Sequence, residues 1–426
     1  MAIFRKTPFG FIECLREHIP KNNKTPLGSR PDSNFPEPKV LVINRPNKSD
    51  KWYYPSVLAN DLQGVDLAWP IKEEVFACAW EYTRCIIPQY TNWKRYIAFA
   101  RTIVIAIVAE YRGNLVDISA GDYVLGYDLK QILGVLFEGT PAHDVMAREY
   151  RSSILISSDK ASPRREGELF RRYVNALAKS PRQWFRMRDA DALARFTIAA
   201  ALACNDLNDV WFTDDQFEIL TEIGDTLYDA VAFFKHRCEG ETNSTFAYVP
   251  AGLRAQAFQQ CRELLWALDV AWACRPELQC VLNFTRFFGG PIHMMMRRYR
   301  FVEDGLTIGR PETKQIITQT RQGVKLWNRV DVAKKKVEEL HRYEQIIARK
   351  DLLLFPGLAS FLQASENERC GECHYRDNYG ADIVHKFGGV ELCEECKLQW
   401  AAFIESLPVR AGNVFPELAG HAAQNL

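Results

Sequence analysis

Residues 213–248 read TDDQFEILTEIGDTLYDAVAFFKHRCEGETNSTFAY and carry more acidic side chains at helical spacing than any other part of the chain. Thr213 and Gln216 have the spacing of a capping box, in which each side chain bonds the other residue's backbone N–H. Asp214 and Asp215 follow at once, where the positive end of a helix dipole favours carboxylates. The sequence therefore predicts that a helix begins at this point.

An acidic stripe runs along this predicted helix. At steps of four, three and four residues it contains Glu218, Glu222, Asp225 and Asp229, and His236 lies further along it. Because a helix turns by about 100° per residue, these side chains share one face. One interpretation is an ordinary solvated face. The other interpretation is a metal site. Stacked carboxylates repel one another, and the helix has no basic residue before Lys235 that would offset their repulsion. A hard cation such as Mg²⁺ relieves that repulsion and commonly brings a phosphate group with it, so this interpretation predicts a site for Mg²⁺ and a diphosphate.

The bulk composition is that of a globular protein. Of 426 residues, 47% are hydrophobic and 25% are charged. The net charge of +1 gives no general electrostatic reason to expect nucleic acid or an anionic membrane as a partner. The longest apolar run, residues 103–109, is too short to span a bilayer, and residues 1–15 lack the apolar segment of a secretory signal. We therefore expect a cytoplasmic protein without a membrane span.

Apolar residues recur at steps of three and four over most of the chain, which predicts an all-α fold. The predicted helices cover residues 73–87, 94–111, 129–137, 141–156, 167–178, 193–204, 213 onward, 253–272, 277–288, 293–302, 314–327 and 332–354. Residues 1–50 are rich in Pro, Asn, Lys and Ser and are interpreted as a flexible extension. The predicted division is therefore an extension over 1–50, an all-α catalytic domain over 51–355 and a C-terminal module with its tail over 356–426.

Two CxxC pairs form a separate pattern in that C-terminal module. Nineteen residues separate Cys370 and Cys373 from Cys393 and Cys396. Two such pairs at this spacing predict a tetrahedral Zn²⁺ site in a reduced compartment. Because four thiolates leave no open coordination position, the predicted role of the zinc is structural.

A diphosphate site also needs cationic donors, and Arg suits phosphate oxygens better than Lys does. One candidate set is Arg297, Arg298, Tyr299 and Arg300, and a second is Arg186, Arg188 and Arg195. Each set is also typical of an ordinary basic patch near a helix end. Lys235 lies at the end of the acidic helix itself.

Several other polar residues remain candidates for metal or proton chemistry. Glu239, Glu241 and Asn243 follow the acidic helix and either complete a metal site or simply end the helix. Glu81 and Glu110 are carboxylates on mainly apolar helices, where a buried acid has to be neutral, paired or metal-bound.

The order of the motifs resembles class I terpene synthases, in which an acidic helix is followed by an Arg-Tyr pair. Asp229 matches the aspartate of the second acidic motif in that class, whereas Ala232 replaces its serine and His236 its final glutamate. No DDxxD motif occurs upstream, where Glu81 is the nearest acidic group.

A longer match is to the fungal α-ionylideneethane synthases, the sesquiterpene synthases of abscisic acid biosynthesis that lack the usual terpene synthase motifs. The chain is similar to this family from Trp52 to about Leu418. The similarity rests on the acidic helix and on long strings elsewhere, among them FACAWEYTRC (76–85), ELFRRYVNALAKSPRQWFRMRDADALARFTIA (168–199), FFGGPIHMMMRRYRFVEDGLTIG (287–309) and FGGVELCEEC (387–396).

This resemblance implies a terpene synthase-like helical bundle and a carbon–oxygen lyase that acts on farnesyl diphosphate with Mg²⁺. It implies neutral hydrocarbons of the β-farnesene and allofarnesene type, followed by reprotonation and closure of a six-membered ring to α-ionylideneethane. The alternatives are a synthase that makes another sesquiterpene skeleton and a non-enzymatic helical scaffold with a zinc knuckle. No nucleic acid partner is expected.

The site residues follow from the resemblance together with the acidic stripe. Metal binding is expected of Glu222, Asp225, Asp229 and Glu239, and catalytic roles of Asp225, Asp229, His236, Glu81 and Glu110. Diphosphate binding is expected of Arg298, Tyr299, Arg297, Lys235 and Arg188. The proton shuttle stays open among His236, Glu81, Glu110 and the released diphosphate. Candidates for the apolar wall are Trp184, Phe233, Phe288 and Trp327.

Overall fold

The structure is a computed structural model that describes residues 53–177, 179–233, 236, 242–292, 340–365, 367–375 and 389–418. These residues belong to one compact unit, Asp50–Leu426. The predicted extension over 1–50 and the helices predicted at 293–302 and 314–327 lie outside the described residues.

The described part of the chain is all-α, as predicted. Its helices are α1 Trp69–Ile86, α2 Trp93–Tyr111, α3 Leu129–Phe137, α4 His143–Lys160, α5 Glu168–Leu177, α6 Pro181–Ala192, α7 Ala194–Cys204, α8 Asp214–Val231, α9 Arg254–Ala271, α10 Gln279–Phe288, α11 Leu340–Ala348, α12 Lys350–Leu353, α13 Leu358–Ala364, α14 Glu394–Glu405 and α15 Leu407–Val414. The strands pair as two antiparallel hairpins, β1 Tyr123–Val124 with β2 Tyr127–Asp128, and β3 His374–Tyr375 with β4 Val390–Glu391. Strands of two residues are too short to show alternation, so the sequence did not reveal them.

The start of α8 confirms the predicted capping box. The Thr213 hydroxyl accepts a hydrogen bond from the Gln216 backbone N–H at 3.3 Å, and the Gln216 side chain accepts one from the Thr213 N–H at 3.0 Å. These reciprocal bonds satisfy two of the backbone donors that the first turn of a helix leaves open.

Helix α6 is not among the predicted helices, because a proline such as Pro181 usually marks a turn or the end of a helix. Pro181 instead occupies the first turn of the helix, where its missing N–H costs nothing, and the Ser180 hydroxyl caps the Gln183 N–H at 3.2 Å. The helix ends at Ala192, the next residue Leu193 has a left-handed φ of 56°, and the chain turns directly into α7. Asp189 holds this corner by accepting from the Arg195 N–H at 2.7 Å. The turn brings the charged face of α6 against α8.

Helix α8 lies in the middle of the bundle and packs against α6, α7, α9, α10 and α15. The approach of α10 is close, because a Cβ added at Gly289 would lie 2.7 Å from Leu227. Across the rest of the bundle, α2 packs against α1, α3 and α4, and the predicted apolar run lies within it. Among the described residues, no helix combines the length and the apolar composition that crossing a bilayer requires.

Candidate active site

Three residues of the acidic stripe are buried in the bundle. Glu222 is 2% exposed, and Asp225 and Asp229 are each 0% exposed. The solvated-face interpretation is therefore wrong for these three residues, although Glu218, one turn before Glu222, remains partly exposed. Since burial of a charged carboxylate is costly without a partner, each buried carboxylate has to be paired, protonated or metal-bound.

Both carboxylate oxygens of Asp229 accept hydrogen bonds. One carboxylate oxygen accepts from Arg188 Nη2 at 2.8 Å, and the other accepts from Arg188 Nε at 3.2 Å. The second oxygen also accepts from the Thr245 backbone N–H at 2.6 Å and from the Thr245 hydroxyl at 2.7 Å. Two charge-assisted bonds from one guanidinium are a strong and geometrically specific contact. Asp229 therefore fastens both α6 and the loop after residue 242 to α8.

Arg188 links Asp229 to a further buried pair. Its Nη1 donates to Asp191 at 3.2 Å, and Asp191 also accepts from the Lys160 ammonium at 2.9 Å. Burial alone would lower the pKa of Arg188, but the adjacent Asp229 raises that pKa well above its ordinary value. Arg188 is therefore a fixed positive charge between two aspartates.

A second group of ion pairs continues along α6. Asp189 accepts from Arg195 Nε at 3.0 Å and lies 3.5 Å from Arg186 Nη1. Arg186 also forms an ion pair with Glu149 of α4, which is 2% exposed. Both predicted arginines, Arg186 and Arg195, thus bind carboxylates of this protein, and the interpretation of these residues as a surface basic patch is wrong.

Glu222 forms an ion pair with an arginine near the C-terminal end of the described chain. Arg410 of α15 donates to its two carboxylate oxygens at 2.7 Å each. Burial raises the pKa of Glu222, and the Arg410 guanidinium opposes that rise. The Arg410 guanidinium also lies over the Phe403 ring, 3.9 Å from its centroid. The helix that follows the cysteine module is therefore tied to the acidic helix.

Asp225 differs from both of its neighbours on the stripe. Neither of its carboxylate oxygens accepts a hydrogen bond from the described residues. Burial raises the pKa of Asp225 well above its ordinary value, and the nearby Asp189, Asp229 and Asp191 add to the rise against the opposing effect of Arg188. Its surroundings thus strongly favour the neutral carboxyl group.

His236 is the other predicted residue that joins this cluster. It is 4% exposed, its Nδ1 lies 3.7 Å from an Asp229 oxygen, and its ring centroid lies 5.7 Å from that of Tyr228. Asn243 is described and buried, and its side-chain amide donates to the Tyr173 hydroxyl at 3.2 Å. The other predicted donors and ligands lie outside the described residues, namely Lys235, Glu239, Glu241, Arg297, Arg298, Tyr299 and Arg300. Glu81 and Glu110 are half-buried on α1 and α2, whereas the Arg188–Asp229 pair lies on α6 and α8.

The predicted wall residues lie in two aromatic clusters. Trp184 is fully buried, with its ring centroid 5.5 Å from that of Trp400 and 5.7 Å from that of Tyr248. Phe288 stacks on Tyr228 at 4.7 Å, beside the stripe. Phe233 is also buried, whereas Trp327 lies outside the described residues.

The four cysteines of the C-terminal module converge. The Sγ atoms of Cys370, Cys373, Cys393 and Cys396 all lie within 4.8 Å of one another. In a tetrahedral site with Zn–S bonds of about 2.3 Å, the sulfurs would be about 3.8 Å apart. The Cys370 and Cys393 sulfurs are 3.9 Å apart. Within the described residues this is the one cluster of three or more potential ligands with the spacing that a metal ion needs.

Several residues of the acidic cluster were not found from the sequence. They are Arg410, Thr245, Asp191, Lys160 and Glu149. The pair Arg188 and Asp191 could have been predicted, because oppositely charged residues three apart on one helix commonly form an ion pair. Nothing in the local pattern pointed to Arg410, which lies 188 residues from its partner Glu222.

Comparison of the amino-acid sequence with known proteins shows the family to which this chain is similar. A family model described as "Alpha-ionylideneethane synthase aba3" matches residues 50–417. "Alpha-ionylideneethane synthase aba3" of Botryotinia fuckeliana (strain B05.10) is 64% identical over 372 residues, which are 87% of this chain and 84% of that protein. "Alpha-ionylideneethane synthase abl3" of Leptosphaeria maculans is 62% identical over 374 residues, which are 88% of this chain and 87% of that protein. "Alpha-ionylideneethane synthase abl3" of Pyricularia oryzae (strain Y34) is 51% identical over an alignment of 435 positions, which covers 88% of this chain and 84% of that protein.

The match includes α8, both partner helices α6 and α15, and the cysteine module, all of which lie within residues 50–417. The resemblance drawn from the sequence strings is thereby confirmed. The chain belongs to the alpha-ionylideneethane synthase family.

Proposed function

We propose that the protein is a sesquiterpene synthase that converts farnesyl diphosphate to α-ionylideneethane, a precursor of abscisic acid. The observation that carries this proposal is the identity of 62% and 64% to two proteins named alpha-ionylideneethane synthase, over more than four fifths of their lengths. The buried cluster on α8 supports it, because a water-excluded site with fixed charges suits the ionisation of a diphosphate.

The proposed reaction begins with loss of diphosphate from an allylic carbon. Departure of that group requires cationic stabilisation, for which we propose Mg²⁺ together with Arg297, Arg298, Tyr299, Lys235 and Arg188. Arg188 has a fixed positive charge in a buried site, although Asp229 and Asp191 already occupy its donors. The other four residues stay predictions from the sequence.

The predicted magnesium ligands differ in how many hydrogen-bond partners they already have within the protein. Glu222 binds Arg410 with both oxygens and Asp229 binds Arg188 and Thr245, so these carboxylates already have their partners within the protein. Asp225 alone of the three accepts no hydrogen bond from the described residues. The described carboxylates therefore do not form a magnesium cage, and the set Glu222, Asp225, Asp229 and Glu239 stays a prediction.

We propose a separate structural role for a metal at the four cysteines. The ligand set is all thiolate, which favours Zn²⁺, and four protein ligands close a tetrahedral site. The site lies between the β3–β4 hairpin and the start of α14, for which Cys393 is the N-cap. A zinc ion here would join the hairpin to the helix that carries Trp400.

The function is tested by incubating purified full-length protein with farnesyl diphosphate and Mg²⁺. We expect release of pyrophosphate and one main hydrocarbon that matches an α-ionylideneethane standard on gas chromatography with mass spectrometry. Addition of EDTA in excess of Mg²⁺ should abolish both signals. A different sesquiterpene hydrocarbon would correct the product, and the absence of both pyrophosphate and hydrocarbon would refute the synthase activity in favour of a helical scaffold.

A further inference from the structure

A cavity of about 670 Å³ opens at the surface of the bundle, far along the chain from the acidic helix. Its lining residues lie within 57–63, in the segment before α1, within 93–101 of α2, and within 123–135 of the β1–β2 hairpin and α3. The helices α6, α7, α9, α10 and α15, which pack against α8, contribute no lining residue. Small-molecule sites typically have volumes of about 300–1,000 Å³, so this cavity is large enough to hold a ligand.

Part of the cavity wall is apolar. Its buried apolar residues, each at most 7% exposed, are Leu62, Ile97, Ala98 and Ile132. The Trp93 indole also lines the cavity and is 46% exposed. An apolar group that entered the cavity would take this surface out of water, which is favourable in proportion to the area covered. The wall therefore fits the apolar body of a ligand.

The two carboxylates in the lining already have partners. Asp61 accepts from Arg101 Nε at 2.9 Å, from Arg101 Nη2 at 3.3 Å and from the Tyr127 hydroxyl at 3.1 Å. Asp128 is the N-cap of α3 and accepts from two backbone N–H groups. Their negative charges are thus offset by a guanidinium and by the positive end of a helix.

The two cations in the lining, by contrast, have unused donors. Lys94 is exposed and has no ion pair or hydrogen bond with any described residue. Arg101 binds Asp61 through Nε and Nη2, and its Nη1 has no hydrogen-bond partner in the described part of the chain. Because Lys94 and Arg101 are seven residues apart on α2, they lie on the same face of that helix. The balance of charge therefore favours a ligand with an anionic group.

Two turns with unusual backbone conformation border the cavity. Leu62 lines it with a left-handed φ of 59°, and Leu125, with a φ of 53°, directly precedes the lining residue Gly126. These are two of the four described non-glycine residues with a left-handed φ. Such conformations cost free energy and are enriched at ligand-binding sites. They agree with the cavity being a built site.

We propose that this cavity binds a small amphipathic anion, a molecule with an apolar chain and one carboxylate or phosphate group at its end. The chain lies against Ile97, Ile132 and Trp93, and the anionic group accepts hydrogen bonds from Lys94. Fatty acids and prenyl phosphates share this chemistry. The proposal does not depend on the proposed synthase activity, because the cavity shares no residue with the candidate active site.

Isothermal titration calorimetry of the purified full-length protein with sodium dodecanoate, below its critical micelle concentration, tests the proposal. We expect one binding event per chain. Octanoate should bind more weakly than dodecanoate, by a factor of about four for each methylene removed from the apolar wall. Such a dependence on chain length shows that the apolar part of the cavity is used.

Lys94→Gln tests the anionic group. We expect dodecanoate affinity to fall by about tenfold, because the variant loses a hydrogen bond between charged groups, whereas the affinity for the neutral dodecanol should not change. The matched control is Lys130→Gln, an exposed lysine of α3 that does not line the cavity, and it should bind dodecanoate like the wild type. Ala98→Leu, which fills part of the cavity, should weaken the binding of dodecanoate and dodecanol alike.

A competition experiment distinguishes the two sources of ligand. If farnesyl monophosphate displaces dodecanoate from the wild type and binds more weakly to Lys94→Gln, the cavity accepts prenyl phosphates. If dodecanoate stays bound, the cavity selects fatty acids. The absence of binding by both probes would overturn the proposal, and so would equal dodecanoate affinity of the wild type and Lys94→Gln. A wild-type protein without synthase activity would refute the proposed function and leave this test unaffected.

Discussion

The cysteine module and the buried acidic cluster both concentrate ionisable side chains, but they neutralise them differently. In the module, four sulfurs lie within 4.8 Å of one another, a spacing at which one metal ion could bind all four as thiolates. Along α8, Glu222 and Asp229 each meet an arginine from another helix. The comparison shows that a row of like charges on one helix does not by itself require a metal. Whether a metal ion is needed depends on the charged side chains that the facing helices place against the row.

Removal of one thiolate should give the largest effect. In Cys393→Ser the site loses one of four ligands, and because metal binding supplies folding free energy, we expect near-complete loss of bound zinc and several kcal/mol of stability. The measurements are metal content per chain by mass spectrometry and thermal unfolding. Cys274→Ser, at an exposed free cysteine, is the control and should change neither quantity. A fully stable and active Cys393→Ser protein would show that the module needs no metal.

Arg188→Met should give the next largest effect, because it leaves Asp229 and Asp191 buried with fewer cations. Breaking a buried ion pair on one side typically costs about 3–5 kcal/mol, which denaturant unfolding would measure. Arg182→Met on the same helix is the matched control. Arg182 is 65% exposed and pairs with Glu218 at 3.0 Å, so its loss should cost about 1 kcal/mol or less. Equal losses in the two variants would contradict the account of the buried cluster.

Arg410→Met should cost less, about 2–3 kcal/mol, because Arg410 is partly exposed while Glu222 is buried. Part of the loss should return in the double variant with Glu222→Gln, since the unpaired buried charge is then removed. A double-mutant cycle by denaturant unfolding measures this coupling. Additive losses would mean that the two side chains do not interact.

The pH dependence of stability should reveal the proton on Asp225. Its pKa is raised in the folded state, so between the unfolded pKa near ~4 and the raised folded pKa the folded protein holds one more proton than the unfolded chain. Stability of the wild type should therefore fall, relative to Asp225→Asn, by about 1.4 kcal/mol per pH unit as the pH rises through this window. Unfolding titrations of both proteins between pH 5 and 8 would check the slope. Parallel curves would mean that Asp225 is ionised in the folded protein.

The sequence predicted those parts of the structure that depend on neighbours along the chain. The α3 bounds, Leu129–Phe137, agree at both ends, and the Thr213 cap and the cysteine cluster are confirmed. Each of these depends on local spacing, which periodicity and motifs report.

The partners of the acidic stripe could not be predicted in this way. Arg410 reaches Glu222 across 188 residues, and Arg188 reaches Asp229 across 41 residues, so these contacts depend on how the helices pack. Helix α8 contains no basic residue, and the facing helices α6 and α15 supply the arginines. The burial of Asp225 likewise follows from packing on all sides of α8 and has no local signal.

The Trp184–Trp400 pair has a practical consequence. Trp184 lies on α6 and Trp400 on α14, the helix that contains Cys396, and their ring centroids are 5.5 Å apart with planes at 69°. Two indoles this close couple their strong far-ultraviolet transitions and produce a paired signal in circular dichroism. Spectroscopy of the unmodified protein can therefore follow docking of the C-terminal helix in real time, and Trp400→Phe would identify which part of the spectrum reports it.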